Sequence, residues 1–202
     1  MTMLFDRAGR RKYLTIDEWR AFILAAGRAE PHLKSFCMVL AYTGARVSEV
    51  RSLTPQSIDL ANKAIVIECL KRRRRGIYRS VPVSAELIAL LEVTHNLSTI
   101  AEDTEGRTCK LWPWSRTTAW ARVKSVCEQA KIPKVLAMPR ALRHTFGVEG
   151  ATRANIPLGT IKRWLGHARL ESTIIYCEAV GAEERSLASR MWGDEPLRGP
   201  HF

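Results

Sequence analysis

Apolar residues recur at three- and four-residue intervals along most of this chain and crowd into a β-like texture in only one stretch. That pattern predicts helices around a single small sheet. Thr15-Ile-Asp-Glu18 has the form of a capping box and opens a helix with Trp19, Phe22, Ile23 and Ala26 on one side. Pro31 stands near the start of the next, where Leu33, Phe36, Cys37 and Leu40 keep helical spacing until Gly44 interrupts. A short helix then begins near Arg46 and carries Val47, Val50 and Leu53 up to Thr54-Pro55.

From Ser57 to Val83 the segments SIDLANKAIVIECL and GIYRSVPV are rich in Ile and Val. Asn62 and Gly76 supply turns, and the reading is a small antiparallel sheet with KRRRRG between strands. Ser84-Ala-Glu starts a helix through Leu87, Ile88, Leu90 and Leu91, and residues 94–110 are polar and loop-like. SRTTAWARVKSVCEQAKI resumes helix with Ala119, Val123, Val126 and Ala130 inward, and further helices cover roughly 140–153 and 157–166. A last amphipathic stretch, AEERSLASRMW, brings Leu187, Met191 and Trp192 within reach of one another. The fold class is mainly α with a small antiparallel β-sheet, an α+β arrangement in one domain.

Charge narrows the function. With 32 basic against 20 acidic residues the chain carries +12, which suits a polyanionic partner, because binding nucleic acid releases condensed counterions. An anionic membrane surface is the rival. No apolar run is long enough to span a bilayer and no signal peptide opens the chain, so a cytoplasmic location is expected. The cysteines at 37, 69, 109, 127 and 177 form no C-x-x-C pair, and the histidines at 32, 95, 144, 167 and 201 form no metal-ligand spacing. Mostly buried thiols and chemistry without metal or cofactor are expected. Neither G-x-G-x-x-G nor G-x-x-x-x-G-K-[ST] occurs, which speaks against ATP-driven work.

Five stretches hold candidate chemistry: TGARVSEVRSL with Arg46, CLKRRRRGIYRSVPV with Lys71, RALRHTF with Arg140 and Arg143, WLGH with His167, and STIIY with Tyr176. Each alone has an ordinary structural explanation: a surface ion pair between Arg46 and Glu49, a solvated basic turn, a histidine near a helix end, a core tyrosine. Together they describe phosphoryl transfer. Two guanidinium forks hold the non-bridging oxygens of a phosphorus transition state, a hydroxyl attacks, and an ammonium protonates the leaving oxygen.

In this order the stretches resemble the catalytic domain of the tyrosine recombinase (phage integrase) family. T-G-x-R-x-x-E-x-x-x-L is matched by Thr43, Gly44, Arg46, Glu49 and Leu53, L-R-H-T-F by Leu142 to Phe146, and L-G-H by Leu165 to His167, with Tyr176 nine positions on. The resemblance implies that fold over residues 13–192, between a basic N-terminal tail (1–12) and a C-terminal tail (193–202). It implies site-specific cutting and rejoining of double-stranded DNA through a 3′-phosphotyrosyl link. Arg46 and Arg143 would grip the scissile phosphate, His167 would donate to it, Tyr176 would attack, and Lys71 would protonate the 5′-oxygen. A dimer on each site and a tetramer across two would form through the helix that follows Tyr176. A type IB topoisomerase-like relaxer and a silent DNA-binding regulator stay open as alternatives.

Two departures from the family pattern stand out. Arg140 occupies the place where the family usually has His or Lys, and a guanidinium donates but does not accept a proton. The family-like stretch also begins almost at Met1, so no N-terminal DNA-clamping domain is expected, and Arg72, Arg73, Arg74, Arg75 and Arg79 are expected to contribute grip on DNA. Arg72 or Arg73 could substitute for Lys71 as a phosphate contact, though a guanidinium is a poor proton donor. His144, next to Arg143 on a helix, is expected to pack or bond internally.

Overall fold

The computed structural model describes residues 4–70, 76–100, 106–178 and 188–189. Helix α1 (Ile16–Gly27) starts at the capping box. The Thr15 hydroxyl accepts from the Glu18 amide at 3.3 Å and the Glu18 carboxylate accepts from the Thr15 amide at 2.9 Å. Helix α2 (Pro31–Thr43) has Pro31 in its first turn and ends at Gly44, whose φ of 61° reverses the chain. Helix α3 (Val47–Val50) follows at once. Strands β1 (Ile58–Asp59), β2 (Ala64–Glu68) and β3 (Tyr78–Pro82) form an antiparallel sheet in that order, with Ile65 opposite Val81 and Ile67 opposite Arg79.

Helices α4 (Ala85–His95), α5 (Leu97–Ile100), α6 (Arg116–Gln129), α7 (Pro139–Thr152), α8 (Leu158–Leu165) and α9 (Glu171–Ile174) complete the fold, and α9 runs into a 3₁₀ turn at Ile175–Glu178. Helix α2 is the central post: Phe36, Cys37, Val39, Leu40 and Ala41 are all buried, and α1, α4, α6 and α7 pack around it. Of the cysteines, Cys37, Cys69 and Cys127 are buried thiols, while Cys109 and Cys177 are exposed.

Three local expectations change. Residues 94–110 are not all loop: Asn96 takes φ 50°, which lets the chain re-enter a helical turn and bury Leu97. On α6 the fourth inward position is Cys127, four residues after Val123, whereas Ala130 falls at the cap. Leu53 is buried but lies beyond α3, which stops at Val50. Leu187, Met191 and Trp192 lie outside the described residues, as do Lys71 and Arg72 to Arg75.

A second, smaller cluster stands apart from the main core: Leu4, Tyr13, Val148, Ile161, Leu165, Ile175 and Tyr176. Residues 4–13 reach it by folding back. Phe5 bridges Arg11, the Leu14 amide donates to Thr145 Oγ1 on α7 at 2.8 Å, and Arg11 clasps the Glu18 carboxylate with both terminal nitrogens at 2.6 Å.

Gly44 is the position where this fold has least freedom. A Cβ there would stand 2.7 Å from both Leu165 Cδ2 and Phe146 Cδ1 on a left-handed backbone. Gly44→Ala is therefore expected to destabilise the chain by about 2–5 kcal/mol, adding left-handed strain to overpacking. Gly27→Ala, at the open end of α1 with no atom within 4 Å of an added Cβ, is expected to be neutral or stabilising. Urea denaturation midpoints of the two variants check this.

Candidate active site

Arg46 is the N-cap of α3 in extended conformation, and Glu49 three residues on closes the turn. The Glu49 carboxylate accepts from the Arg46 amide at 2.9 Å and from its guanidinium at 2.7 Å. This is no surface ion pair: Glu49 is 0% exposed. Its other strong partner is Arg79, whose Nη2 donates at 2.6 Å.

Arg79 corrects the expectation of a DNA contact. Along β3 the exposed and buried positions alternate, and Arg79 shares the inward phase with Val81. Its Nε donates to the Trp164 carbonyl at 2.6 Å and its Nη1 to Cys69 Sγ at 3.3 Å, so a guanidinium that is 5% exposed has all three nitrogens engaged inside the protein. Arg79 buttresses Glu49 and the end of α8. Burial alone would raise the Glu49 carboxyl; Arg79, then the amide and guanidinium of Arg46, outweigh it and hold the group below the usual carboxylate range.

Arg143 comes from α7, buried to 7% exposure. It donates to the Gly44 carbonyl and to the Leu165 carbonyl, each at 2.7 Å, spanning the two glycine-terminated helix ends. Burial, then the neighbouring Arg46, lowers its guanidinium to about 10, which leaves it charged at neutral pH. Gly166, at φ 65°, ends α8 and presents His167. The His167 Nδ1 lies 2.9 Å from the buried Thr173 hydroxyl. Burial, then Arg143 and Arg46, pushes this imidazole down to about 3, so it is neutral. In the tautomer in which the Thr173 hydroxyl donates to Nδ1, the ring proton sits on Nε2 and makes that nitrogen a neutral donor.

Tyr176 sits in the 3₁₀ turn with its ring packed on α7 at Gly147, where an added Cβ would meet the ring at 2.5 Å. The His167 ring lies 6.1 Å away, tilted by only 18°. Burial raises the phenol above its ordinary value, with Arg143, Arg46 and Arg140 pulling the other way. Arg140, at the exposed start of α7, donates from Nε to His144 Nε2 at 3.2 Å. His144 is buried and bonds internally, as its place next to Arg143 suggests, and burial followed by Arg140 and Arg143 lowers it to about 4.

One cavity of about 890 Å³ unites these parts: Arg46, Arg140, Arg143, His144, His167 and Tyr176 all line it. Leu70, the residue that precedes Lys71 in sequence, lines it too. The sequence patterns did not point to Arg116, Thr117 and Trp120 of α6, which also line the cavity. A large aromatic at Trp120, outside the inward stripe of Ala119, Val123 and Val126, was the available signal, and the structure leaves it exposed. Among the described residues no group of His, Cys, Asp and Glu could hold a metal, and no helix is long and apolar enough to cross a membrane. Cationic forks plus a neutral N–H donor around a phenol make a cradle for a phosphorus-centred anion.

Comparison with known proteins agrees. The model described as the phage integrase family matches residues 12–182. Tyrosine recombinase XerD of Mycobacterium tuberculosis (strain CDC 1551 / Oshkosh) is 28% identical over 185 residues, covering 82% of this chain and 56% of its own. The crystal structure of XerA recombinase superposes with a TM-score of 0.73 at 26% identity, over 91% of this chain and 64% of the other. The XerH site-specific recombinase, in a pre-cleavage complex bound to its difH substrate, gives 0.69 at 18% identity over 94% and 60%. The chain thus spans a little over half the length of the curated relative.

Two outcomes test this electrostatic frame. Glu49→Gln removes the counter-charge of a buried guanidinium and is expected to cost about 3–5 kcal/mol, part of it recovered when Arg79→Met is added; chemical denaturation measures both. His95, with burial and then His32 lowering it to about 4, joins His144 and His167 as imidazoles that are neutral when folded. Unfolded, each takes up a proton near pH 6.5, so the unfolded chain binds more protons between that pH and about 4. Stability is expected to fall as pH drops from 7 to 5, read as a lower thermal midpoint; a flat profile contradicts buried neutral imidazoles.

Proposed function

The chain belongs to the phage integrase family, and from that premise we propose that it carries the catalytic centre of a site-specific DNA recombinase acting through Tyr176. The observation that carries this reading is the convergence of Arg46, Arg143, His167 and Tyr176 on one cavity from distant stretches of sequence. Arg143, fixed by two backbone carbonyls, and Arg46, fixed by Glu49, bind the non-bridging oxygens of the scissile phosphate. His167, neutral and steadied at Nδ1, donates a further hydrogen bond to the same group.

Tyr176 Oη attacks phosphorus and gives up its proton to solvent water, the bond from phosphorus to the 5′-oxygen breaks, and that oxygen takes a proton from an ammonium donor, leaving a 3′-phosphotyrosyl link. Lys71, next in sequence to the cavity-lining Leu70, is the proton donor. The phosphodiester to tyrosine retains the bond energy, so a 5′-hydroxyl of another strand reverses the step and completes exchange. Arg140 is a further cationic donor to the phosphate. The basic residues Arg72 to Arg75 add sequence-independent grip on double-stranded DNA. Assembly as a dimer on each site and a tetramer across two, through the stretch that holds Leu187, Met191 and Trp192, belongs to the same reading, as does a cytoplasmic setting.

A nicked duplex that traps the intermediate tests the assignment. The unaltered protein is expected to form a covalent adduct that Tyr176→Phe abolishes. Arg143→Ala is expected to lower adduct formation by about 10²–10³-fold while electrophoretic retention of DNA stays largely intact. Retention with no adduct would instead mark a DNA-binding regulator. Adduct without strand joining would mark a relaxing enzyme.

A further inference from the structure

Arg140 poses a physical problem for any role at the phosphate. It is exposed at the start of α7, and a long side chain free in solvent loses rotamer entropy each time it is ordered against a ligand. Among the described residues its hydrogen bond is the 3.2 Å bond from its Nε to His144 Nε2, one helical turn on. That bond uses the side edge of the guanidinium and leaves the terminal nitrogens as a fork.

The imidazole that makes this contact is itself expensive to keep. With its Nε2 lone pair occupied, the neutral ring carries its proton on Nδ1, and that atom is buried without a hydrogen-bond partner. A leucine would fill the same 4%-exposed space with no orphan donor, so packing alone does not account for a histidine here. Nor is His144 a proton acceptor for Tyr176, although their rings are 6.0 Å apart, because its only lone pair already accepts from Arg140.

Resting on the cleavage role given above to the cavity, we propose that His144 is a positioning residue: it holds the Arg140 guanidinium by its Nε edge so that the terminal fork meets the scissile phosphate already oriented. Arg140 and His144 then act as one unit, a cation and its tether, with Arg140 standing where the family usually has His or Lys and His144 belonging to the L-R-H-T-F stretch. The benefit is preorganisation of one rotamer-rich side chain, which corresponds to about fivefold to tenfold in rate.

Single-turnover adduct formation on the nicked duplex tests the pairing. His144→Leu is expected to slow it about fivefold to tenfold, and His144→Gln, which restores an acceptor, is expected to recover most of that. In an Arg140→His background, where no guanidinium remains to be held, adding His144→Leu is expected to cost less than twofold. Equal losses in both backgrounds would reduce His144 to a packing residue and overturn the pairing, as would no loss in either.

Nitrogen-15 spectra of the imidazoles give a reading that needs neither activity nor the leucine variant. His144 is expected to show the Nδ1–H form with a hydrogen-bonded Nε2, and Arg140→Ala is expected to remove the bonded signature. An unchanged spectrum in Arg140→Ala overturns the tether. Failure of the unaltered protein to form any adduct would count against the recombinase reading itself, whereas normal adduct formation without coupling between 140 and 144 counts only against the tether.

Discussion

A single buried carboxylate, Glu49, sets the terms for everything around it. Its two oxygens meet Arg46 on one side and Arg79 on the other, joining α3, the sheet and, through the Trp164 carbonyl, the end of α8. Bringing several arginines together in a protein interior is costly, since each charge loses solvent and repels the next. Glu49 offsets part of that repulsion at its source. Arg79 is held deep inside, where its charge acts on the carboxylate, and Arg46 is held at the cavity, where 25% of its side chain is open to a ligand.

The remaining polar groups of the cavity adapt to this surplus of positive charge by staying neutral. His144 and His167 lose their protons to burial and to the arginine field, and the phenol of Tyr176 keeps its own because burial outweighs the arginines. Among the described residues the resting cavity therefore has unbalanced cations and no competing anion apart from the engaged Glu49. A ligand with two or more negative oxygens supplies the missing charge. The same balance explains why Tyr176 rests against the glycine of α7, in a small apolar cluster beside the cationic wall rather than in the main core.

Much of this was legible in the chain itself. Thr15 and Glu18 specify the first helix because capping chemistry is local, and Gly44 and Gly166 mark helix ends for the same reason. The stations at Arg46, Arg143, His167 and Tyr176 could be found by order and spacing. What could not be read depends on pairing across the fold. Arg79 carries the charge of a surface residue, and only its strand phase with Val81 hints at burial. Glu49, three residues from Arg46, has the spacing of an exposed ion pair, and nothing local shows that a strand thirty residues on will cover it. Gly147 in mid-helix signals a close approach without saying what approaches. Trp120 is legible as an oddity, but its place on the cavity wall requires the packing of α6 beside α7.

Arg143 is oriented by the carbonyls of Gly44 and Leu165, main-chain atoms rather than side chains. Every amino acid brings the same carbonyl, so no exchange of one side chain can delete either acceptor outright. Heredity can vary the letters at those two places, but the grip on this arginine belongs to the route the chain takes. It disappears only when the route itself is redrawn.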